Sequence, residues 1–290
     1  MNSACGYGRL TGAAISRCLT KTNGQRGTSF LEVMIALLIL GVVTTAIFKL
    51  YITQHKNYLT QDDITTIQQN VRASIDELSR HIRMAGYDLP LGLPSIAAAN
   101  TDPDTITITY LSNGCDTYLS APMPQPSSEL KCGTDISCFY DGQWVYIYDP
   151  DLASGEWFEI THVQAAAYHL QHNTMVLSRK YDANALVLAI SQIKFFVDNT
   201  TDPNHPNLMI HIMGQTPQVF AEDIIDLQFQ YCMKNGAVVD VPTVIDNIRE
   251  VSISISGRSH KPDVELAEEL ENQYRQRTFS TSVYLRNIGV

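Results

Sequence analysis

The chain has 290 residues, 44% hydrophobic and 17% charged, with 20 Lys+Arg against 30 Asp+Glu for a formal charge of −10. That is enough apolar material for one or two domains with real cores, and it excludes a disordered chain. The charge is uneven: residues 1–27 carry Arg9, Arg17, Lys21 and Arg26 and no acid, so removing those four charges leaves −14, a balance that repels phosphate and argues against direct nucleic-acid binding.

From Phe30 to Phe48 the chain reads FLEVMIALLILGVVTTAIF, with Glu32 as its one ionisable group. A helix of that length spans roughly 28 Å, about one bilayer core, which argues against a cytoplasmic enzyme. The plain alternative is a secretory signal peptide. Such a peptide has a shorter apolar region, typically ~7–15 residues, and ends in an A-x-A pattern that Thr44-Thr45-Ala46 fits only loosely. Helical character also continues past the run. All 12 prolines lie at or after Pro90, and Gly41 is the one glycine between Thr28 and Ala85. Ile64, Ile67, Val71, Ile75, Leu78 and Ile82 form one apolar stripe. Asp62, Asp63, Arg72, Asp76, Glu77 and Arg80 fall off it, with Asp76 and Arg80 spaced as an i,i+4 pair. Gly86 and then Pro90 predict the helix stop.

A carboxylate inside an apolar run costs at least a few kcal/mol in a bilayer, so Glu32 is expected to be paired, neutral or functional. Arg26-Gly27-Thr28-Ser29-Phe30-Leu31-Glu32 resembles the type IV prepilin processing site. In that family a basic leader ends in glycine, a dedicated peptidase cuts after it, the new N-terminus is methylated, and the fifth mature residue is glutamate. The resemblance implies cleavage between Gly27 and Thr28, N-methylation of Thr28, and Glu32 as the mature glutamate. The leader is longer than usual, and Thr28 stands where most members have phenylalanine. Physically, cleavage removes four cations and creates an amine with a pKa near 8. In a bundle, Glu32 of one subunit can then meet the Thr28 ammonium of another, each offsetting the other's desolvation.

Ile75-Asp76-Glu77-Leu78-Ser79-Arg80-His81-Ile82-Arg83-Met84-Ala85-Gly86-Tyr87 resembles the helix end of PilW-type minor pilins, relatives of the J-type pseudopilins of type II secretion. Residues 222–231 and 277–287 are similar to the closing strands of that family, while residues 90–220 are not diagnostic. The resemblance implies a structural, non-enzymatic subunit of a pilus tip or priming complex. Its partners would be the prepilin peptidase, other minor pilins, the major pilin and the inner-membrane assembly machinery. It would sit in the bacterial inner membrane with its C-terminal domain in the periplasm before joining the pilus. The alternatives are a type II secretion pseudopilin and a periplasmic binding domain or enzyme on an uncleaved anchor.

After residue 86 the pattern becomes alternation. Thr105 to Leu111, Trp144 to Tyr148, Glu156 to His162, Leu186 to Val197, Leu208 to Met213, Ile224 to Met233, Arg249 to Ser256 and Arg277 to Leu285 are predicted strands. Val251, Ile253 and Ile255 alternate with Ser252, Ser254 and Ser256, the pattern of a strand with one wet face. The expected fold is α+β, pilin-like: a long N-terminal helix packed on an antiparallel sheet. It divides into a leader (1–27), an apolar helix (28–49), its amphipathic continuation (50–86) and a β-rich domain (87–290). Loops are expected at 112–143, 198–206 and 257–272, the last carrying Glu265, Glu268, Glu269 and Glu271.

Cys5 and Cys18 fall in the leader; Cys115, Cys132, Cys138 and Cys232 follow it. Four cysteines in an oxidising compartment suggest two disulfides, with three connectivities open and a zinc site as the weaker alternative. No G-x-S-x-G, H-E-x-x-H, Walker or dinucleotide motif occurs, so no catalytic residue, cofactor or metal is expected. His169 and His172 read as an exposed pair before a strand. Asp198, Thr200 and Asp202 space like the start of a calcium loop, but Asn204-His205-Pro206 replaces its glycine, and a turn explains them more simply.

Overall fold

The computed structural model describes residues 29–90, 92–263 and 273–288. One helix, α1 (Phe30–Met84), precedes a run of strands: β1 (Ile96–Ala99), β2 (Thr105–Tyr118), β3 (Leu130–Lys131), β4 (Trp144–Asp149), β5 (Ser154–Glu159), β6 (His162–Gln164) and β7 (His169–Gln171). Then come β8 (Leu186–Asp198), β9 (Asn207–Ile212), β10 (Gln218–Ala221), β11 (Ile224–Met233), β12 (Val238–Val239), β13 (Ile248–Arg258) and β14 (Gln276–Tyr284). The fold is α+β with antiparallel pairing throughout these strands. The chain divides into two compact units, up to Asn57 and from Tyr58 onward.

In the unit from Tyr58, the expected single sheet is three among the described residues. The largest runs β1-β2-β8-β4-β5. Its spine is β8, which pairs with β2 along one edge and with both β4 (Leu186–Leu188) and β9 (Ile193–Asp198) along the other. A second sheet has the order β12-β11-β13-β14, and a small third sheet has the order β3-β7-β6. The strand alternation located most of the long strands but neither their pairing nor their partition into sheets, because both depend on contacts between distant segments.

The amphipathic stripe forms the core. Ile67, Val71, Leu78 and Ile82 are at most 3% exposed and pack with Ile106, Ile108 and Phe195 of the first sheet and Leu227, Phe229, Ile253 and Ile255 of the second. Ile75 packs at the edge of this cluster, and Ile64 is half-buried. Gly257 lies beneath the helix: a Cβ built there would sit 2.7 Å from Val71 Cγ2 and 3.3 Å from Ile67 Cγ2, so only glycine lets strand and helix approach this closely. The predicted Asp76–Arg80 pair does not form. Arg80 bonds Glu77 instead, one turn away on the side that faces His81.

The helix stops where expected. Gly86 adopts φ +77° and donates to the Thr109 carbonyl, while Ala85 N–H reaches back to His81 and Ile82. Asn287 Nδ2 donates to the Arg83 carbonyl at 3.2 Å, Leu285 N–H donates to Arg249, and Ile288 is buried, so the segment after β14 closes the helix end. The second core cluster joins Phe158, Ile147 and Val187 to Leu119, Leu130, Ile136 and Phe139 of the region expected to be a loop. That region carries the extension of β2 and strand β3.

The two-disulfide expectation is corrected. Cys115 bonds Cys138, with Cα atoms 5.9 Å apart. Cys132 and Cys232 remain thiols because Cys132 is buried in the second cluster and Cys232 lies on β11 of the second sheet. Burial raises the Cys132 pKa to about 11 against smaller opposing hydrogen bonds from Thr117 and Leu170, which keeps it an inert thiol.

Candidate functional site

Gly27 and Thr28 lie outside the described residues, as do Cys5, Cys18 and Glu265 to Glu271 of the loop expected at 257–272. The unit up to Asn57 offers the helix from Phe30. Its first turn begins where Val33 N–H bonds the Ser29 carbonyl, and Glu32 sits in that turn, exposed. Every described residue from Ser29 to Asn57 is exposed. An 18-residue stretch here has a mean hydropathy of 2.5 and none of it is buried within the protein. Phe30 is 80% exposed and Leu38 69%. A contiguous apolar surface of this kind needs lipid or other apolar helices around it. Three hydroxyls along it are satisfied locally: Thr44, Thr45 and Thr53 donate to the carbonyls of Leu40, Gly41 and Lys49, as hydroxyls do inside apolar surroundings.

In the other unit, a buried polar chain anchors the helix to the first sheet. His81 Nε2 lies 3.0 Å from Glu77 Oε1 and its Nδ1 lies 3.1 Å from the Tyr110 hydroxyl. Burial lowers the His81 pKa despite the Glu77 carboxylate, which pulls the other way. Burial by itself would raise the Glu77 pKa, but hydrogen bonds from Arg80 and His81 outweigh it and the net shift is downward. In the neutral arrangement Nε2–H donates to Glu77 and Tyr110 O–H donates to Nδ1. Between the two large sheets, Asp104 accepts from Phe229 N–H at 2.8 Å, and its own N–H donates to the Leu227 carbonyl. Burial raises its pKa against the opposing bonds from the Phe229 and Thr101 N–H groups.

The histidine pair behaves otherwise than expected. His169 lies within β7, 3.1 Å from Glu129, whereas His172 is 3% exposed and contacts the Met175 and Ser128 carbonyls. His172 is therefore a core residue, with each ring nitrogen facing a carbonyl oxygen of the folded loop. Asp198 accepts from Thr200 and Thr201, and Asp202 accepts from Asn204 N–H, so both carboxylates shape a turn.

The fold brings together one cluster that residue spacing does not announce. His205 Nδ1 lies 2.9 Å from Asp223 Oδ1 and His260 Nδ1 lies 2.9 Å from Asp223 Oδ2, with the two imidazoles stacked at 4.1 Å. His205 lies between β8 and β9, Asp223 between β10 and β11, and His260 just after β13. Two clefts, of about 140 and 350 Å3, are lined by no carboxylate, imidazole or thiol.

No protein-family model matches the chain, and no curated protein does. Among solved structures, a type IV-like pilin from Thermus thermophilus is similar at a TM-score of 0.37 and 8% identity, covering 76% of this chain and 95% of that one.

Proposed function

We propose that this chain is a type IV prepilin whose mature form is a minor pilin of the PilW type. The observation that carries this reading is a helix with two environments: an apolar segment left wholly uncovered, with Glu32 in its first turn, and a later segment that fills the core of a β-rich domain. A removable signal peptide does not share its helix with the domain it exports. The leader motif Arg26-Gly27-Thr28 with Glu32 in register supplies the processing chemistry.

On this reading, residues 1–27 are removed by a prepilin peptidase and Thr28 is methylated. Residues 28–49 anchor the subunit in the inner membrane and later pack among the helices of the filament, residues 50–86 continue that helix, and residues 87–290 form the periplasmic domain. Glu32 neutralises the Thr28 ammonium of a neighbour nearer the tip. The role is structural, in a tip or priming complex with other minor pilins, the major pilin and the assembly machinery.

The test is mass mapping of the N-terminus in cells with and without the peptidase. A mature start at Thr28 that reverts to Met1 without the enzyme is expected; recovery of the intact leader in competent cells overturns the reading. Glu32→Ala is expected to stay membrane-inserted and to be lost from pili; normal incorporation overturns the pairing role.

A further inference from the structure

We propose that His205, Asp223 and His260 form a binding site for one divalent transition-metal ion, of the zinc, cobalt or nickel class, that ties together three connecting segments. The three side chains offer ligand atoms that all lie within 4.8 Å of one another. Metal–nitrogen and metal–oxygen bonds of about 2.0–2.2 Å place neighbouring ligand atoms roughly 3–3.5 Å apart. The two 2.9 Å contacts to Asp223 are already close to that spacing, so small shifts of the side chains suffice.

The donor set selects the metal. Two imidazoles and one carboxylate favour borderline transition ions over calcium or magnesium, which prefer oxygen donors. Asp223 is 6% exposed and fixed by its place between β10 and β11, whereas the His260 side chain is 58% exposed. A buried anionic ligand thus faces an opening through which solvent can supply a fourth ligand. In the metal-free arrangement both Nδ1 atoms contact the carboxylate; on binding, any proton carried there passes to solvent and the lone pairs turn to the ion. The cation beside the site is directed elsewhere: Arg258 donates to the Asn204 carbonyl, its guanidinium lies 4.2 Å from the Tyr274 ring centre, and its backbone N–H bonds the Asp223 carbonyl.

The placement gives the ion a mechanical role. His205 follows β8 of the first large sheet and His260 follows β13 of the second, so one ion would crosslink segments that leave different sheets. This inference stands on the cluster alone and is independent of the pilin reading.

The experiment uses untagged, detergent-purified full-length protein, stripped with chelator and titrated with Co2+ and then Zn2+. One Co2+ per chain is expected, with visible absorption bands that zinc displaces, and a raised thermal midpoint with zinc. His205→Ala and His260→Ala are each expected to weaken binding at least tenfold and to abolish the thermal shift while keeping the wild-type far-ultraviolet dichroism. A Cys132→Ser/Cys232→Ser double variant is expected to bind as wild type. If folded wild-type protein takes up no stoichiometric ion at 100 micromolar metal, or if the histidine variants bind as well as wild type, the proposal is wrong, and the cluster is then a hydrogen-bonded histidine–aspartate junction.

Discussion

The two halves of α1 share a backbone geometry and an apolar character, yet they meet different surroundings. Between Phe30 and Asn57 every residue is exposed, whereas Ile67, Val71, Leu78 and Ile82 are almost completely buried. The first half is apolar nearly all round, so no single face can be hidden by a β-domain; the second has one stripe, which a domain can cover. Apolarity therefore does separate work in the two halves, first as an interface to lipid or to other helices, then as the nucleus of a fold.

Substitutions at matched leucines test that division. Leu38→Asp places a carboxylate mid-run and is expected to cost about 3–4 kcal/mol of membrane insertion while leaving the thermal midpoint of the β-rich unit unchanged, measured by fractionation and calorimetry. Leu78→Ala reverses the pattern, with membrane retention intact and about 3 kcal/mol lost from urea-unfolding stability. If Leu38→Asp destabilised the domain, the division between the halves would fail.

Gly257→Ala sharpens the comparison from the sheet side. The added methyl meets Val71 and Ile67, and a loss of about 1–3 kcal/mol in the same unfolding measurement is expected. A smaller effect concerns pH. The His81 pKa is lowered in the folded state from its ordinary 6.5, so the folded state binds fewer protons than the unfolded one, and the stability it contributes is present above about 6.5 and lost as pH falls below it. The lowered Glu77 pKa acts in the same direction in a separate window, below its ordinary 4.5. His81→Gln is expected to flatten stability against pH in the upper window only, read by urea unfolding from pH 7.5 to 5.

The helix and its stop were legible in the sequence because local rules set them: the absence of proline, the spacing of the stripe, and a glycine where left-handed backbone ends the last turn. Long strands such as β8, β11 and β13 were legible through alternation. Short strands such as β1, β3 and β12 were not, since two to four residues carry no usable period. The buried chain at His81 was half legible, because Glu77 lies one turn back on the same helix whereas Tyr110 comes from β2. The His205–Asp223–His260 cluster and the choice of Cys138 for Cys115 were equally hidden. Each depends on which loops the finished sheets bring together.

The contact of Asn287 with the Arg83 carbonyl, with Ile288 buried beside it, bears on how the molecule is made. A helix begun at Phe30 has its final turn sealed by a side chain synthesised two hundred residues later. Completion of the domain must therefore wait until residue 288 has been synthesised, so the helix is made long before the groups that seal its end exist.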